Sequence, residues 1–287
     1  MTYGDYLAKA TVFLNDAGVG TARLDVLVLL EDITGKDRSW LLAHPEHEFL
    51  SSQQKEIQKL LKRRARHEPL AYIRGKTEFY GREFILTPAV LEPRPESETM
   101  IELLKTLPTL GSIASKTTKP ITIADVGTGS GALGITAVLE LPKATVNLLD
   151  IDPKALEVAK INVDKFTISA KVIKSDLLSG SSVNYDILLC NLPYVPDDYK
   201  INLSAAYEPE IAIFGGPDGL DLYRRLFNQV SKRPRQPLYI LTEALPPQHR
   251  ALEQIARHAS YKLHSNNDFI QVFECIQKPG SAALKSM

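Results

Sequence analysis

Ile121-Thr122-Ile123-Ala124-Asp125-Val126-Gly127-Thr128-Gly129-Ser130-Gly131 is an apolar, β-branched run that breaks into three glycines at alternate positions. The run reads as a buried strand, and the glycines as a sharp turn into a helix that opens at Ala132. Glycine at 127, 129 and 131 lets the backbone turn tightly and approach a ligand with no Cβ in the way. Ala132, Leu133 and Gly134 then suit close packing of that helix on a sheet. Gly127-x-Gly129-x-x-Ala132 also satisfies the dinucleotide-binding fingerprint, with Asp150 at the spacing of its ribose-binding acid. A nicotinamide-dependent dehydrogenase therefore stands as one reading of this stretch.

Downstream, strand and helix patterns alternate. Strands are predicted at 121–126, 144–150, 171–174, 184–190 and 237–243, with helices at 131–140, 153–165, 219–232 and 246–258 between them. A final pair, 260–264 and 269–277, should be antiparallel. Such alternation implies right-handed βαβ units and a mostly parallel sheet closed by an antiparallel edge. Asp150-Ile151-Asp152-Pro153 ends the second strand; Asp150 suits a pair of ribose hydroxyls and Asp152 a helix cap. Ser175-Asp176-Leu177 ends the third, where Asp176 can accept from an adenine amino group and Leu177 can cover the ring.

Asn191-Leu192-Pro193-Tyr194 ends the fourth strand, after the apolar run Tyr185 to Cys190. In a sheet of this kind a ligand binds outside the carboxyl ends, at the switch point between strands one and four. Asn191 offers a side-chain carbonyl and residue 192 a backbone carbonyl, two acceptors for the two hydrogens of an amide or aromatic amine. Pro193 restricts the backbone that carries them, and Tyr194 offers a flat face. A nucleoside-bearing cofactor beside such an acceptor site points to an S-adenosylmethionine-dependent N-methyltransferase.

The first 75 residues read as helices alone. Tyr3 to Ala17 is amphipathic and stops at Gly18. Thr21 is expected to cap a second helix with a buried stripe of Leu24, Leu27, Val28, Leu29 and Leu30, ended by Gly35. Ser51 with Gln54 has a capping-box pattern for a third, and Pro69 suits the first turn of a short helix that ends near Gly75. A hairpin is expected around Gly81. Pro95 opens a helix to about Leu107, and Gly111 to Lys119 reads as a surface loop.

The 287 residues carry 34 basic and 34 acidic side chains, so no global field draws the chain to nucleic acid or to a membrane. The basic run Lys62-Arg63-Arg64-Ala65-Arg66-His67 reads as a solvated helix face rather than an RNA-binding patch. Cys190 and Cys275, the only two cysteines, read as core residues of a reducing compartment. His44 and His47 lack the partners of a metal site, and no metal is expected. There is no basic-then-apolar leader and no run of membrane-spanning length, so a cytoplasmic protein is expected.

Several separate stretches resemble the HemK/PrmC family, and together they cover nearly the whole chain. His67-Glu68-Pro69-Leu70-Ala71-Tyr72-Ile73-Arg74-Gly75 is similar to the family's end-of-first-domain segment. Phe79-Tyr80-Gly81 and Pro93-Arg94-Pro95-Glu96 are similar to its hairpin and the loop that follows. Asp125 to Gly131 resembles its cofactor loop, Asn191 to Tyr194 its substrate motif, and Phe214-Gly215-Gly216-Pro217-Asp218-Gly219-Leu220 a later signature. The resemblance implies a Rossmann-like class I methyltransferase domain at 95–287, a hairpin and linker at 76–94, and a helical substrate-docking domain at 1–75. It implies methylation of the glutamine amide in the Gly-Gly-Gln loop of peptide chain release factors, with S-adenosylmethionine as cofactor.

The cofactor-binding residues expected from residues and resemblance together are Asp125, Gly127, Thr128, Gly129, Ser130, Gly131, Asp150, Asp176, Leu177 and Asn191. Asn191, Leu192, Pro193 and Tyr194 are expected to hold the glutamine. The chain departs from the family at Leu192, where proline is usual, and at Leu245, where glycine is. Asn-Leu-Pro-Tyr is also similar to the motif of ribosomal RNA adenine N6-methyltransferases. An adenine N6-methyltransferase acting on RNA or DNA, or an S-adenosylmethionine-binding module without catalysis, are the alternatives.

Overall fold

A computed structural model describes residues 1–108 and 120–276; the expected surface loop at 111–119 and the polar tail lie outside them. The chain divides into two compact units, Met1–Lys76 with Ile201–Tyr207, and Thr77–Lys200 with the residues from Glu208 on.

The first unit is helical: α1 (Tyr3–Asp16), α2 (Ala22–Thr34), α3 (Arg38–Ala43), α4 (Ser51–Arg64) and α5 (Leu70–Arg74). Leu14, Val26, Leu29, Leu30, Ile57 and Leu61 fill its core. The buried stripe of α2 differs from expectation: Leu24 is exposed and Val26 is buried. The cause is Asp25, which turns inward and accepts from Arg64 Nε at 2.6 Å and from the Thr21 hydroxyl at 2.9 Å. Thr21 therefore stands at the N-cap position without capping the backbone. Ser51 does not cap either. It is already helical, Leu50 is the N-cap residue, and Gln54 donates instead to the Phe49 carbonyl at 2.6 Å. Within the basic run, Arg63 pairs with Glu68 at 2.5 Å and Arg64 with Asp25, so two of its cations are engaged inside the unit.

The second unit opens with the hairpin β1 (Lys76–Phe79) and β2 (Arg82–Ile85), whose turn residues Tyr80 and Gly81 both have positive φ. Pro95–Ser97 forms a 3₁₀ turn and then α6 (Glu98–Lys105) follows. The alternating part is β3 (Ile121–Val126), α7 (Ala132–Glu140), β4 (Ala144–Asp150), α8 (Pro153–Lys165), β5 (Ala170–Lys174), β6 (Ile187–Cys190), α9 (Asp221–Ser231), β7 (Tyr239–Glu243), α10 (His249–His258), β8 (Tyr261–Asn267) and β9 (Ile270–Cys275). Strand β6 is shorter than expected at its start, although the Asp186 backbone still donates to the Thr122 carbonyl at 2.8 Å and accepts from Leu238 N at 2.7 Å. Its carboxylate accepts from Thr122 N at 2.9 Å and bonds Arg235 at 2.5 Å.

The strand order is β5-β4-β3-β6-β7-β9-β8. The first five of these run parallel, and β9 joins β7 and β8 antiparallel. Alternate strand residues face two cores. Ile123, Leu148, Ile187 and Leu241 pack with Met100 and Leu104 of α6, Ile135 of α7 and Val163 of α8. Val126, Leu149, Leu188, Cys190 and Ile240 pack with Tyr223, Leu226 and Phe227 of α9 and Leu252 of α10. Full burial of each such side chain is worth about 1.5–3 kcal/mol, and the double cover explains why these strands read as continuous apolar runs.

Candidate active site

The carboxyl ends of β3 to β6 open onto one cleft of about 260 Å³, where β3 is flanked by β4 on one side and by β6, reached from β5, on the other. At the exit of β3, Gly127, Gly129 and Gly131 all have positive φ. Gly127 N and Thr128 N donate to the Leu149 carbonyl at 2.8 and 2.9 Å, which lays the loop across the end of β4. Asp125 lies beneath it, wholly buried. Its Oδ2 accepts from the Thr128 hydroxyl at 2.5 Å and from Gly134 N at 2.9 Å. Burial pushes its pKa from 3.8 to about 6 against those two bonds.

Asp150, at the end of β4, accepts from Gly129 N on one oxygen and from Asp152 N on the other, both at 2.9 Å. Burial raises its pKa as well. Each oxygen keeps a second lone pair for a ligand hydroxyl. Asp152 caps α8, accepting from Lys154 N at 2.9 Å. At the exit of β5, Ser175 N donates to the Asp150 carbonyl at 2.8 Å. The Ser175 hydroxyl donates to the Leu177 carbonyl at 2.6 Å and holds Leu177 at φ 54°. Asp176 pairs with Arg225 at 2.5 Å through half-exposed side chains, a contact worth at most about 1 kcal/mol.

At the exit of β6, Asn191 Nδ2 donates to Ser97 Oγ at 2.9 Å, and Oδ1 has no partner among the described residues. Ser97 Oγ in turn donates to Glu243 Oε2 at 2.6 Å. The Tyr194 hydroxyl donates to Glu243 Oε1 at 3.1 Å. Glu243 is 1% exposed, and burial raises its pKa. Below the motif, the Tyr223 hydroxyl lies 2.9 Å from the Cys190 carbonyl and 2.5 Å from that of Glu243, tying the ends of β6 and β7 together. Gln248 Nε2 donates to the Tyr194 carbonyl at 2.8 Å and to that of Asp218 at 2.7 Å. The Gly215 to Gly219 loop supports the same backbone. A Cβ at Gly215 would lie closer than 3.0 Å to the Pro193 carbonyl oxygen, and one at Gly219 equally close to that of Tyr194.

Asp125, Gly127, Thr128, Gly129, Ser130, Asp150, Asp176, Leu177, Asn191, Leu192 and Pro193 all line the cleft. Two of the expected site residues do not. Gly131 faces Ile135 and Leu148, and Tyr194 stands behind the motif on Glu243. Four supporting residues are not evident from the sequence: Ser97, Tyr223, Glu243 and Gln248. The one signal for Glu243 is a carboxylate that ends an otherwise apolar strand. Among the described residues, no group of His, Cys, Asp and Glu could hold a metal, and no helix is long and apolar enough to cross a membrane.

Comparison with known proteins adds to this geometry. Residues 5–75 match the family described as PrmC N-terminal domain, and residues 103–207 match the Methyltransferase small domain. The release factor glutamine methyltransferase of Koribacter versatilis is 35% identical over 235 residues, 80% of this chain and 81% of that one. The protein of the same description from Moorella thermoacetica is 36% identical over 262 residues, 90% of each chain. The chain belongs to the release factor glutamine methyltransferase family. It is an S-adenosylmethionine-dependent methyltransferase. Relatives in Rickettsia described as bifunctional methyltransferase are spanned over only about half their length. The crystal structure of the hMettl16 catalytic domain with MAT2A 3'UTR hairpin 1 covers 81% of this chain and 83% of its own, with TM-score 0.54 and 13% identity, a likeness of fold.

The cleft suits that cofactor. Bare glycine backbone borders it, where a Cβ at Gly127 would come to 3.0 Å from Leu192 Cδ2. Half-buried Asp150 shares the lining with the apolar side chains Leu133, Ile151 and Leu177, the mostly apolar wall with few polar groups of a small-molecule site.

Proposed function

We propose that this enzyme methylates the side-chain amide nitrogen (N5) of the glutamine in the Gly-Gly-Gln motif of peptide chain release factors. The observation that carries the reading is Asn191 Oδ1, without a partner among the described residues, in the same cleft as the glycine loop. An amide nitrogen is a weak nucleophile, since its lone pair is delocalised into the carbonyl. Acceptors for its two hydrogens fix it for in-line attack. Asn191 Oδ1 supplies one, and the carbonyl of Leu192 supplies the other. Pro193 and the Gly215 to Gly219 loop keep that backbone from drifting. Tyr194, anchored through its hydroxyl, closes the site from behind.

On the cofactor side, Asp150 would accept from the ribose hydroxyls, Leu177 would cover the base and the Gly127 to Gly131 loop would lie against the amino-acid part. S-adenosylmethionine, when bound, supplies a methyl group on a cationic sulfur. Held by its two acceptors, the glutamine nitrogen would take that methyl in exchange for its proton, which would leave to water, so no strong base is needed from the protein. The helical unit would dock the release factor, a role that supports a cytoplasmic location.

The test is transfer of labelled methyl to purified release factor, with a Gln→Ala change in its Gly-Gly-Gln loop as control. Label on the unaltered factor alone is expected. No label on either, with S-adenosylhomocysteine still bound, refutes the substrate assignment and turns attention to nucleic acid. Asn191→Ala is expected to remove most turnover without loss of fold.

A further inference from the structure

We infer that Glu243 is a positioning residue for methyl transfer: through Ser97 it sets which end of the Asn191 amide faces the acceptor. The inference rests on the amide-acceptor reading above and names what makes it possible. An asparagine side chain is nearly symmetric in shape, but one end accepts and the other donates. Only the acceptor end can take a hydrogen from an incoming amide. Something must therefore choose between two rotations of the Asn191 side chain that fit the same space.

Counting protons makes the choice. An ionised carboxylate only accepts, and Glu243 meets two hydroxyls on separate oxygens: Ser97 at 2.6 Å and Tyr194 at 3.1 Å. Ser97 has one hydroxyl hydrogen, and it goes to Glu243. Toward Asn191, Ser97 then offers lone pairs alone, so it receives Nδ2 at 2.9 Å. Oδ1 is left as the free end. Reversing the amide would set Oδ1 against Ser97 lone pairs in a dry site, since Ser97 is 2% and Glu243 1% exposed, and a buried polar group left without a partner is strongly disfavoured.

The chain holds the relay together from three directions. Ser97 ends the 3₁₀ turn Pro95–Ser97 before α6, Asn191 follows β6, and Glu243 ends the adjacent β7. The single hydrogen of the Tyr223 hydroxyl lies between the carbonyls of Glu243, 2.5 Å away, and Cys190, 2.9 Å away, which fixes the spacing of the last two. The same carboxylate anchors Tyr194, so one buried group orders two of the four motif residues.

The experiment uses the full-length enzyme, labelled S-adenosylmethionine and purified release factor. Ser97→Ala, and Glu243→Met, which keeps side-chain length without the carboxylate, are each expected to lower kcat about tenfold or more. S-adenosylhomocysteine affinity should fall less than kcat: Ser97 and Asn191 line the same cleft, but what the relay sets is the acceptor for the incoming amide. Ser97→Thr keeps the hydroxyl and should recover most of kcat. Against an Asn191→Ala background, Ser97→Ala should do nothing further, since residues that act through one another are not additive. Additive losses, or a kcat unchanged in Ser97→Ala, overturn the relay. A second readout needs no substrate. With 15N-labelled asparagine, the Asn191 side-chain amide protons should be protected from exchange in the wild type and lose protection in Ser97→Ala; equal protection in both overturns the relay even where Glu243→Met fails to fold. An unlabelled release factor with the wild type is a failure of the substrate reading alone, and the exchange measurement then decides the relay separately.

Discussion

Gly134→Ala sets two rules against each other. Gly134 lies in the first turn of α7, and alanine in a helix interior is favoured over glycine by about 1 kcal/mol. Propensity alone therefore makes the variant more stable. The packing says the reverse. A Cβ there would lie closer than 3.0 Å to Leu148 Cδ2, 2.8 Å from Asp125 Cβ and 2.9 Å from Asp125 Oδ2. Leu148 and Asp125 are buried in neighbouring strands, so neither has solvent to retreat into. Overpacking of this kind costs about 1–3 kcal/mol. Displacing Asp125 also strains its bonds to Gly134 N and the Thr128 hydroxyl, where bonds to a charged group are worth about 1.5–3 kcal/mol. Net destabilisation of roughly 2–5 kcal/mol is expected after the propensity gain is subtracted. The loss should come with weaker S-adenosylhomocysteine binding, because Thr128 carries the loop. Urea denaturation and titration calorimetry measure both. A variant equal to or more stable than wild type refutes the packing argument.

Other outcomes follow from the same geometry. Asp150→Ala should weaken S-adenosylhomocysteine binding by about 1.5–3 kcal/mol, read by calorimetry; an unchanged dissociation constant removes Asp150 from the cofactor site. The folded-state pKa of Asp125 is raised from 3.8 to about 6, so its stabilising contribution is complete below pH 3.8 and is lost as pH rises through 6. The loss is on the order of 3 kcal/mol, and the stability difference between wild type and Asp125→Asn should shift against the wild type between pH 4 and 7; a difference independent of pH contradicts the assignment. Gly219→Ala places a Cβ on the Tyr194 carbonyl and Gln248 Nε2 at a φ of +77°, and should cut turnover far more than cofactor affinity. Equal losses in the two would mean that the loop acts on the whole cleft rather than on the acceptor motif.

What could be read from the sequence was what depends on neighbours in the chain. The glycine loop announces its turn because Gly127, Gly129 and Gly131 follow an apolar run directly. Asp152 could be read as a cap because Pro153 stands beside it. Ser97 and Glu243 could not be read this way. Their partnership crosses 146 positions and exists only because β7 lies next to β6. The failed caps teach the same lesson from the other side. Thr21 and Ser51 have the right chemistry, yet buried Asp25 takes the first hydroxyl and the helix begins one residue early at the second. A pattern states what a side chain is able to do, and tertiary competition decides what it does.

Leu192 has a consequence for how such chains can change. Its side chain is buried and its Cδ2 fills the space that a Cβ on Gly127 would need. Its N–H also points at the Tyr223 hydroxyl, 3.4 Å away, a bond that proline, the usual residue of the family, lacks the hydrogen to make. The cofactor loop and the acceptor motif therefore share one wall, and neither segment is portable alone. A chimera that imports a proline-bearing motif would lose the Leu192 N–H bond to Tyr223 and the side chain that stands beside Gly127. Gly127 has a second restriction of its own, a φ of +72° that disfavours any side chain there, so of the two positions 192 is the one with room to vary.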